Sequence, residues 1–226
     1  MDLDYIVVYS RRKTLSITVE RDRSVVVRAP KGTDPEKIRE VVESKKLWIY
    51  QKTHHPQKYN SLPHPPGKEL VSGESLPYLG RNYRIEMIDC DADGIRFEQK
   101  FIAPRKLSAR RREVFRQWYV DRAREKILPR VRRQALSLGV EFNEAKIADS
   151  RYRWGSCTTK DNLNFNWRLI KAPVFVIDYV IAHELAHLME PNHTPRFWNI
   201  VRSQVPSLER AKAWLKEHGE FLEQDL

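Results

Sequence analysis

Only two of the 226 residues are cysteine, Cys90 and Cys157. That is too few for a disulfide framework and fits a reducing compartment. The chain has no run of eighteen apolar residues, which excludes a membrane-spanning helix. Its first residues, Met1-Asp2-Leu3-Asp4-Tyr5, lack the basic start and apolar stretch of a signal peptide. A cytoplasmic location is therefore expected. No internal repeat or low-complexity segment stands out. Bulky apolar material is plentiful by contrast: six Trp, nine Tyr and eight Phe, within an apolar content of 41%. A disordered chain does not carry that much burial capacity. The length suits one large domain or two small ones.

Acidic residues are in deficit. Lys and Arg number 41 against 30 Asp and Glu, a formal net charge of +11. Most of the excess lies between Arg105 and Arg133, where twelve basic residues meet only Glu113, Asp121 and Glu125. Concentrated Arg suits phosphate oxygens, so Arg110, Arg111 and Arg112 are candidate nucleic-acid contacts, with Trp118 and Tyr119 near for stacking. A solvated helical face is the commoner use of such charge.

Hydrophobic periodicity divides the chain near Pro104. Residues 1–104 read as a β-rich region, with strands near 5–9, 15–19, 25–27, 69–71, 76–78, 83–88, 95–97 and 101–102. One helix is predicted there, over 35–53, with Pro35 at its first position. The stretch from His54 to Gly67 contains four prolines and reads as a loop. Residues 105–226 read as an α+β unit. It opens with a basic helix within 105–139, kinked or divided at Pro129 and capped by Gly139. A strand-loop-strand over 146–168, a strong helix over 174–190 and two further helices, near 195–202 and 207–218, complete it.

The chemistry concentrates on the 174–190 helix, in His183-Glu184-Leu185-Ala186-His187. Histidines four apart share a helical face and can grip one divalent metal from one side. Glu184 flanks such a metal without needing to ligate it, and can accept a proton from activated water. Val176, Ile177, Val180, Ile181 and Leu185 make the surroundings apolar, where ionisable groups are costly unless paired or metallated. A catalytic tetrahedral site needs a third protein ligand and one open position. His193 follows a helix stop at Pro191 and a turn at Asn192, where a left-handed conformation can swing it back under the helix end. The His spacing equals that of the metzincin signature, but Glu190 stands where metzincins have glycine, so the turn must be built differently. A thermolysin-like arrangement would instead take Glu209, Glu217 or Glu220 as third ligand. A purely structural zinc would want a fourth ligand, for which Cys157 is the candidate.

These residues belong to a longer pattern. Arg153-Trp154-Gly155-Ser156-Cys157, Leu163 to Leu169 with Asn166, Ala172-Pro173, Tyr179-Val180, His183 to Leu188, Asn192-His193 and Phe197-Trp198 follow in order. In this order and spacing the chain resembles the YgjP-like metallopeptidase family, in the same broad group as the SprT-like zinc proteases. The likeness is dense from about 151 to 198 and looser toward Val8 and Arg11-Arg12-Lys13. It implies a zincin-like catalytic unit with Zn2+ on His183, His187 and His193, and Glu184 as general base, acting on a protein or peptide. It does not supply a defined substrate.

Other residues are candidates for lesser roles. Trp154, Gly155 and Asn166 are read as substrate-binding, with Gly155 letting backbone approach a substrate. The strand from Leu163 to Trp167 is a candidate edge for an extended peptide. Tyr179 and Arg196 could each polarise a scissile carbonyl. Asp178, Glu190 and Asn192 are candidates to orient the metal ligands, though each is more commonly a surface or capping residue. Cys157 lacks a base of its own and is not expected to be a nucleophile. His54, His55 and His64 are expected to be solvated, and His218 to favour its helix end. Two alternative functions stay open: a nucleic-acid-associated binding module with a structural or vestigial zinc, and a protease acting on nucleic-acid-bound proteins.

Overall fold

The computed structural model describes residues 4–19, 24–54, 68–150, 153–223 and 226. His55 and His64 lie outside these. The chain divides into two compact units, Met1–Pro65 and Pro66–Leu226.

The first unit is a three-stranded sheet with two helices. The strands are β1 (Ile6–Ser10), β2 (Ser16–Val19) and β3 (Val25–Pro30), in the order β1-β3-β2. Central β3 pairs parallel with β1 and antiparallel with β2. Its Val25, Val27 and Ala29 join Ile38, Val42 and Ile49 in a small core. Asp34 caps α1 (Pro35–Ser44) by accepting from the Glu36 amide. The single predicted helix over 35–53 is two. Lys45 (φ −107°, ψ 8°) ends α1 and begins α2 (Lys46–Thr53). The Ser44 hydroxyl donates back to the Val41 carbonyl there, a local bond that competes with the helical ladder.

In the second unit, β4 (Ser75–Tyr78), β5 (Arg81–Ile88), β6 (Arg96–Phe97) and β7 (Phe101–Pro104) form a sheet of order β4-β5-β7-β6. The segment 69–71 forms no strand: Leu70 has φ 61° and is fully buried, and the Glu74 carboxylate accepts from the Val71 amide across the turn at Ser72 and Gly73. A short 3₁₀ turn, Arg105–Arg110, leads into α3 (Arg111–Leu138). Pro129 lies inside α3 without dividing it. Apolar residues on both sides, Ile127, Val131 and Ala135, are buried in one stripe, and that packing offsets the lost backbone bond. Gly139 ends α3 in the left-handed conformation (φ 68°).

The boundary expected at 104/105 does not coincide with this division. The rings of Tyr78, Phe97 and Phe101 pack on Trp118 at centroid distances of 5.1, 5.7 and 4.9 Å. Tyr119 donates to the Pro77 carbonyl at 2.7 Å. The second set of strands therefore shares a core with α3, and the Pro-rich stretch lies at the division instead.

The third sheet, β8 (Glu144–Ala148), β9 (Gly155–Cys157) and β10 (Asn162–Asn166), has the order β8-β10-β9. β10 pairs parallel with β8 and antiparallel with β9, with Phe165 opposite Gly155. The edge role expected for Leu163–Trp167 is thereby overturned. β10 is bonded on both sides, and β8 and β9 are the edges.

A 3₁₀ turn, Trp167–Lys171, leads to α4 (Val174–Ala186), then α5 (Pro195–Gln204) and α6 (Leu208–Glu223). α4 is shorter than predicted. After His187 the amides of Leu188 and Met189 bond three residues back, tightening the chain into turns. α6 runs past the end expected near residue 218. Leu222, fully buried, rewards the extra turn. Among the described residues no helix is long and apolar enough to cross a membrane.

Candidate metal centre

α4 is apolar over most of its surface, and its polar side chains gather at the C-terminal end. His183 projects from the last full turn, and His187 is the capping residue, still in the right-handed helical conformation (φ −66°, ψ −19°). The i,i+4 spacing brings the two rings edge-to-face at 5.0 Å. The turn that brings back His193 is built without a left-handed Asn192. Among the described residues the non-glycine positive φ angles belong to Leu70, Leu79, Gln99 and Asp161. Instead the Thr194 amide bonds to the Asn192 carbonyl at 2.8 Å. Thr194 then caps α5, accepting from the Phe197 amide, and Pro195 follows at the first helical position.

This turn closes a triad. One ligand atom from each of His183, His187 and His193 lies within 4.8 Å of the others. Nε2 of His183 and Nε2 of His193 are 3.1 Å apart. Two nitrogens on one tetrahedral zinc ion would stand about 3.3 Å apart, given bonds of ~2.0–2.1 Å. Burial, then His187 and His193, lowers His183 to about 4. Burial, then His193, also lowers His187, while hydrogen bonds to the Glu190 and Pro191 backbone oppose the shift. Both rings are therefore neutral at pH 7, with lone pairs available to a metal. Backbone carbonyls holding a ligand's other ring nitrogen are a common way to orient it. Nδ1 of His183 is buried without a partner among the described residues. A donor set of three imidazoles fits a divalent transition metal. Glu209, Glu217 and Glu220 are not part of the cluster.

Sequence reasoning missed the support beneath the triad. Phe197 is fully buried, with its ring 5.0, 4.7 and 4.7 Å from those of His183, His187 and His193. Trp198 stacks on His193 at 5.6 Å and 22°. The legible signal was an aromatic pair at the start of the next helix, four and five residues after His193.

Glu184 points away from solvent and is 7% exposed. Burial raises its carboxyl to about 7, against a hydrogen bond from the Cys157 amide and the charge of Arg153. Gly155 explains how it fits. A Cβ there would lie 2.6–2.8 Å from Glu184 Cγ, Oε1 and Cδ. Glycine at 155 therefore admits the Glu184 side chain, where the sequence reading expected it to admit a substrate.

The remaining candidates separate. Trp154 is half-buried and accepts at its carbonyl from the Asn166 amide. Asn166, 3% exposed, donates to the Ser150 and Arg153 carbonyls and accepts from the Arg168 amide. Its side chain shapes the loop before β9 and is not presented to a ligand. Asp178 accepts from Arg130 and Gln134 of α3, so it does not orient a histidine. Burial, then Glu184 and Asp161, raises the Cys157 thiol, against a nucleophilic role. Arg196 is exposed, and Tyr179 sets its ring 6.0 Å from that of His183. His54 stacks on Tyr50, and His218 on Trp214. Of the basic trio, Arg110 pairs with Glu113, Arg111 donates to the Glu69 carbonyl, and Arg112 donates to the Lys68 and Leu226 carbonyls.

Three ring nitrogens facing one point beside a buried carboxylate define a candidate metal-dependent hydrolase site. Comparison with known families agrees: residues 13–218 match the YgjP-like metallopeptidase domain. The chain belongs to the YgjP-like family and is a metallopeptidase, whose substrates are proteins or peptides. Among curated proteins no significant match is found. Two crystal structures show local similarity. The metallopeptidase zymogen jannalysin of Methanocaldococcus jannaschii is 23% identical, with a TM-score of 0.38 over 42% of this chain and 97% of its own. The metallopeptidase zymogen abylysin of Pyrococcus abyssi is 20% identical, with a TM-score of 0.38 over 44% of this chain and 98% of its own.

Proposed function

We propose that the protein is a zinc-dependent peptidase of zincin-like design, with Glu184 as general base. The observation that carries this reading is the junction of α4 with β9: three imidazoles converge, and the carboxylate beside them is buried with its pKa raised. His183, His187 and His193 would hold the ion. Zinc in such a site supplies a Lewis acid that lowers the pKa of water to ~7 and polarises a carbonyl.

The chain's own residues supply the rest. The Cys157 amide holds the Glu184 carboxylate, and Gly155 leaves room for it. A carboxyl near 7 can accept a proton from the attacking water and return it to the leaving amine, because its two forms are close in free energy at neutral pH. β9, at the sheet edge, offers backbone groups to an extended peptide. Neither nucleic-acid reading gains an observation. Arg111 and Arg112 brace main-chain carbonyls, and Arg116 and Arg130 pair with Asp149 and Asp178.

Metal analysis of the purified protein beside its Glu184→Gln variant tests the proposal. Both should hold about one zinc per chain, and only the wild type should cleave an unfolded protein. An active variant removes Glu184 from the mechanism. A metal-free wild type removes the zinc.

A further inference from the structure

Backbone parity along β9 fixes where an extended peptide can lie. Thr158 donates its amide to the Asn162 carbonyl at 3.0 Å, and Asn166 donates its amide to the Trp154 carbonyl at 2.9 Å. In an antiparallel ladder such bonded pairs alternate with unbonded ones. Gly155 and Cys157, opposite Phe165 and Leu163, therefore turn their amides and carbonyls to the open edge. The Cys157 amide is already given to Glu184. The open edge left to a peptide thus runs from Gly155 back toward Arg153.

Side chains alternate along the same stretch, so residues 153, 155 and 157 share one face. On that face Gly155 abuts the Glu184 side chain, and Arg153 comes next, close enough for its charge to act on Glu184. Asn166 fixes the backbone beneath it, donating from its side chain to the Arg153 carbonyl at 3.2 Å. Arg153 is exposed, and its side chain forms no hydrogen bond or ion pair among the described residues. The neighbouring acid, Asp149, is taken by Arg116 and Arg168. The guanidinium fork therefore faces solvent, and its shape matches a carboxylate. A peptide paired with Gly155 sets one side chain beside Arg153 on this face, about two residues from the position level with Glu184.

We infer that Arg153 is a specificity residue, binding an acidic side chain of a peptide extended along β9. The inference rests on the peptidase reading and adds the substrate class: peptides with Glu or Asp about two residues from the cleaved bond.

Fluorescent peptides binding to full-length zinc-loaded Glu184→Gln protein provide the test, read by anisotropy. The peptides are blocked at both ends, and a single Glu, or Gln in its place, is walked through each position. At one position Glu should bind about fivefold more tightly than Gln, the gain of a cross-strand ion pair. Mass spectrometry of the wild-type products should set that position about two residues from the cleaved bond. Arg153→Gln should bring the ratio close to one with zinc content unchanged. Arg153→Glu should favour Lys at the same position, a gain that misfolding cannot produce. The inference is wrong if no position prefers Glu, or if the preference survives Arg153→Gln. It is also wrong if the preferred carboxylate is only the free C-terminus of an otherwise neutral peptide. Hydrolysis by wild type is read separately. Cleavage without preference removes the role of Arg153 and keeps the peptidase. A preference that Arg153→Gln abolishes, without cleavage by wild type, does the reverse.

Discussion

On α3, charges sit on the outer face and are answered locally. Arg122 pairs with Glu125 and Arg124 with Asp121 one turn away, while Arg116 and Arg130 reach Asp149 and Asp178. Opposite them run Phe115, Tyr119, Ala123, Ile127 and Val131, all buried. On α4 the proportions reverse. Nearly every residue is apolar, and the few ionisable groups at its end are displaced from their ordinary pKa values, His183 to about 4 and Glu184 to about 7. Water screens the charges of α3, whereas burial and near neighbours set the protonation of His183 and Glu184 on α4. Quantity of charge thus marks a surface, whereas a small number of buried ionisable groups marks a reaction centre.

The sharpest way to break this contrast is Glu184→Gln. It should cut kcat/KM by about 10²–10⁴-fold, the range of general-base catalysis, while zinc content stays unchanged. His193→Ala should weaken zinc binding by more than about 100-fold, beyond what loss of a mere supporting group costs. Glu209→Ala should leave it unaltered, and competition with a chromogenic chelator measures both. The opposite result would move the third ligand to α6.

Gly155→Ala sharpens the comparison without touching an ionisable group. The added methyl must displace Glu184, so activity should fall by about 100-fold with zinc affinity retained. Full activity would show that Glu184 need not lie against β9.

The smallest effect concerns the partly exposed Asp149, which accepts from Arg116 and Arg168. Burial pushes its pKa up, but the bonds from Arg168 and Arg116 outweigh that and lower it. The folded pKa lies below the unfolded value near 3.9. Its contribution is therefore present above about pH 4 and is lost as pH falls through the folded pKa. Asp149→Asn should cost about 0.5–1 kcal/mol at pH 7 and progressively less toward pH 3, as urea midpoints would show. A constant difference across pH would exclude the ionised carboxylate as the source.

Local rules made much of this legible. The i,i+4 histidines, the cap at Gly139 and the apolar helix around Glu184 depend on short-range spacing and on the backbone freedom of Gly, which a sequence displays directly. The errors share a different cause. Leu163–Trp167 looked like an edge strand because alternation does not say how many neighbours a strand has. The division was expected near 104 because composition changes there, yet Phe101 and Trp118 bury each other across it.

The sequence alone determined the three candidate histidines and the placement of His183 and His187 on one helix. Packing between distant segments decided the rest. It set β9 against α4 so that Gly155 and the Cys157 amide receive Glu184. It slid Phe197 under three imidazoles. A carboxylate's pKa depends on how much water surrounds it and which dipoles face it. Those quantities exist only once residues far apart in the chain have come together.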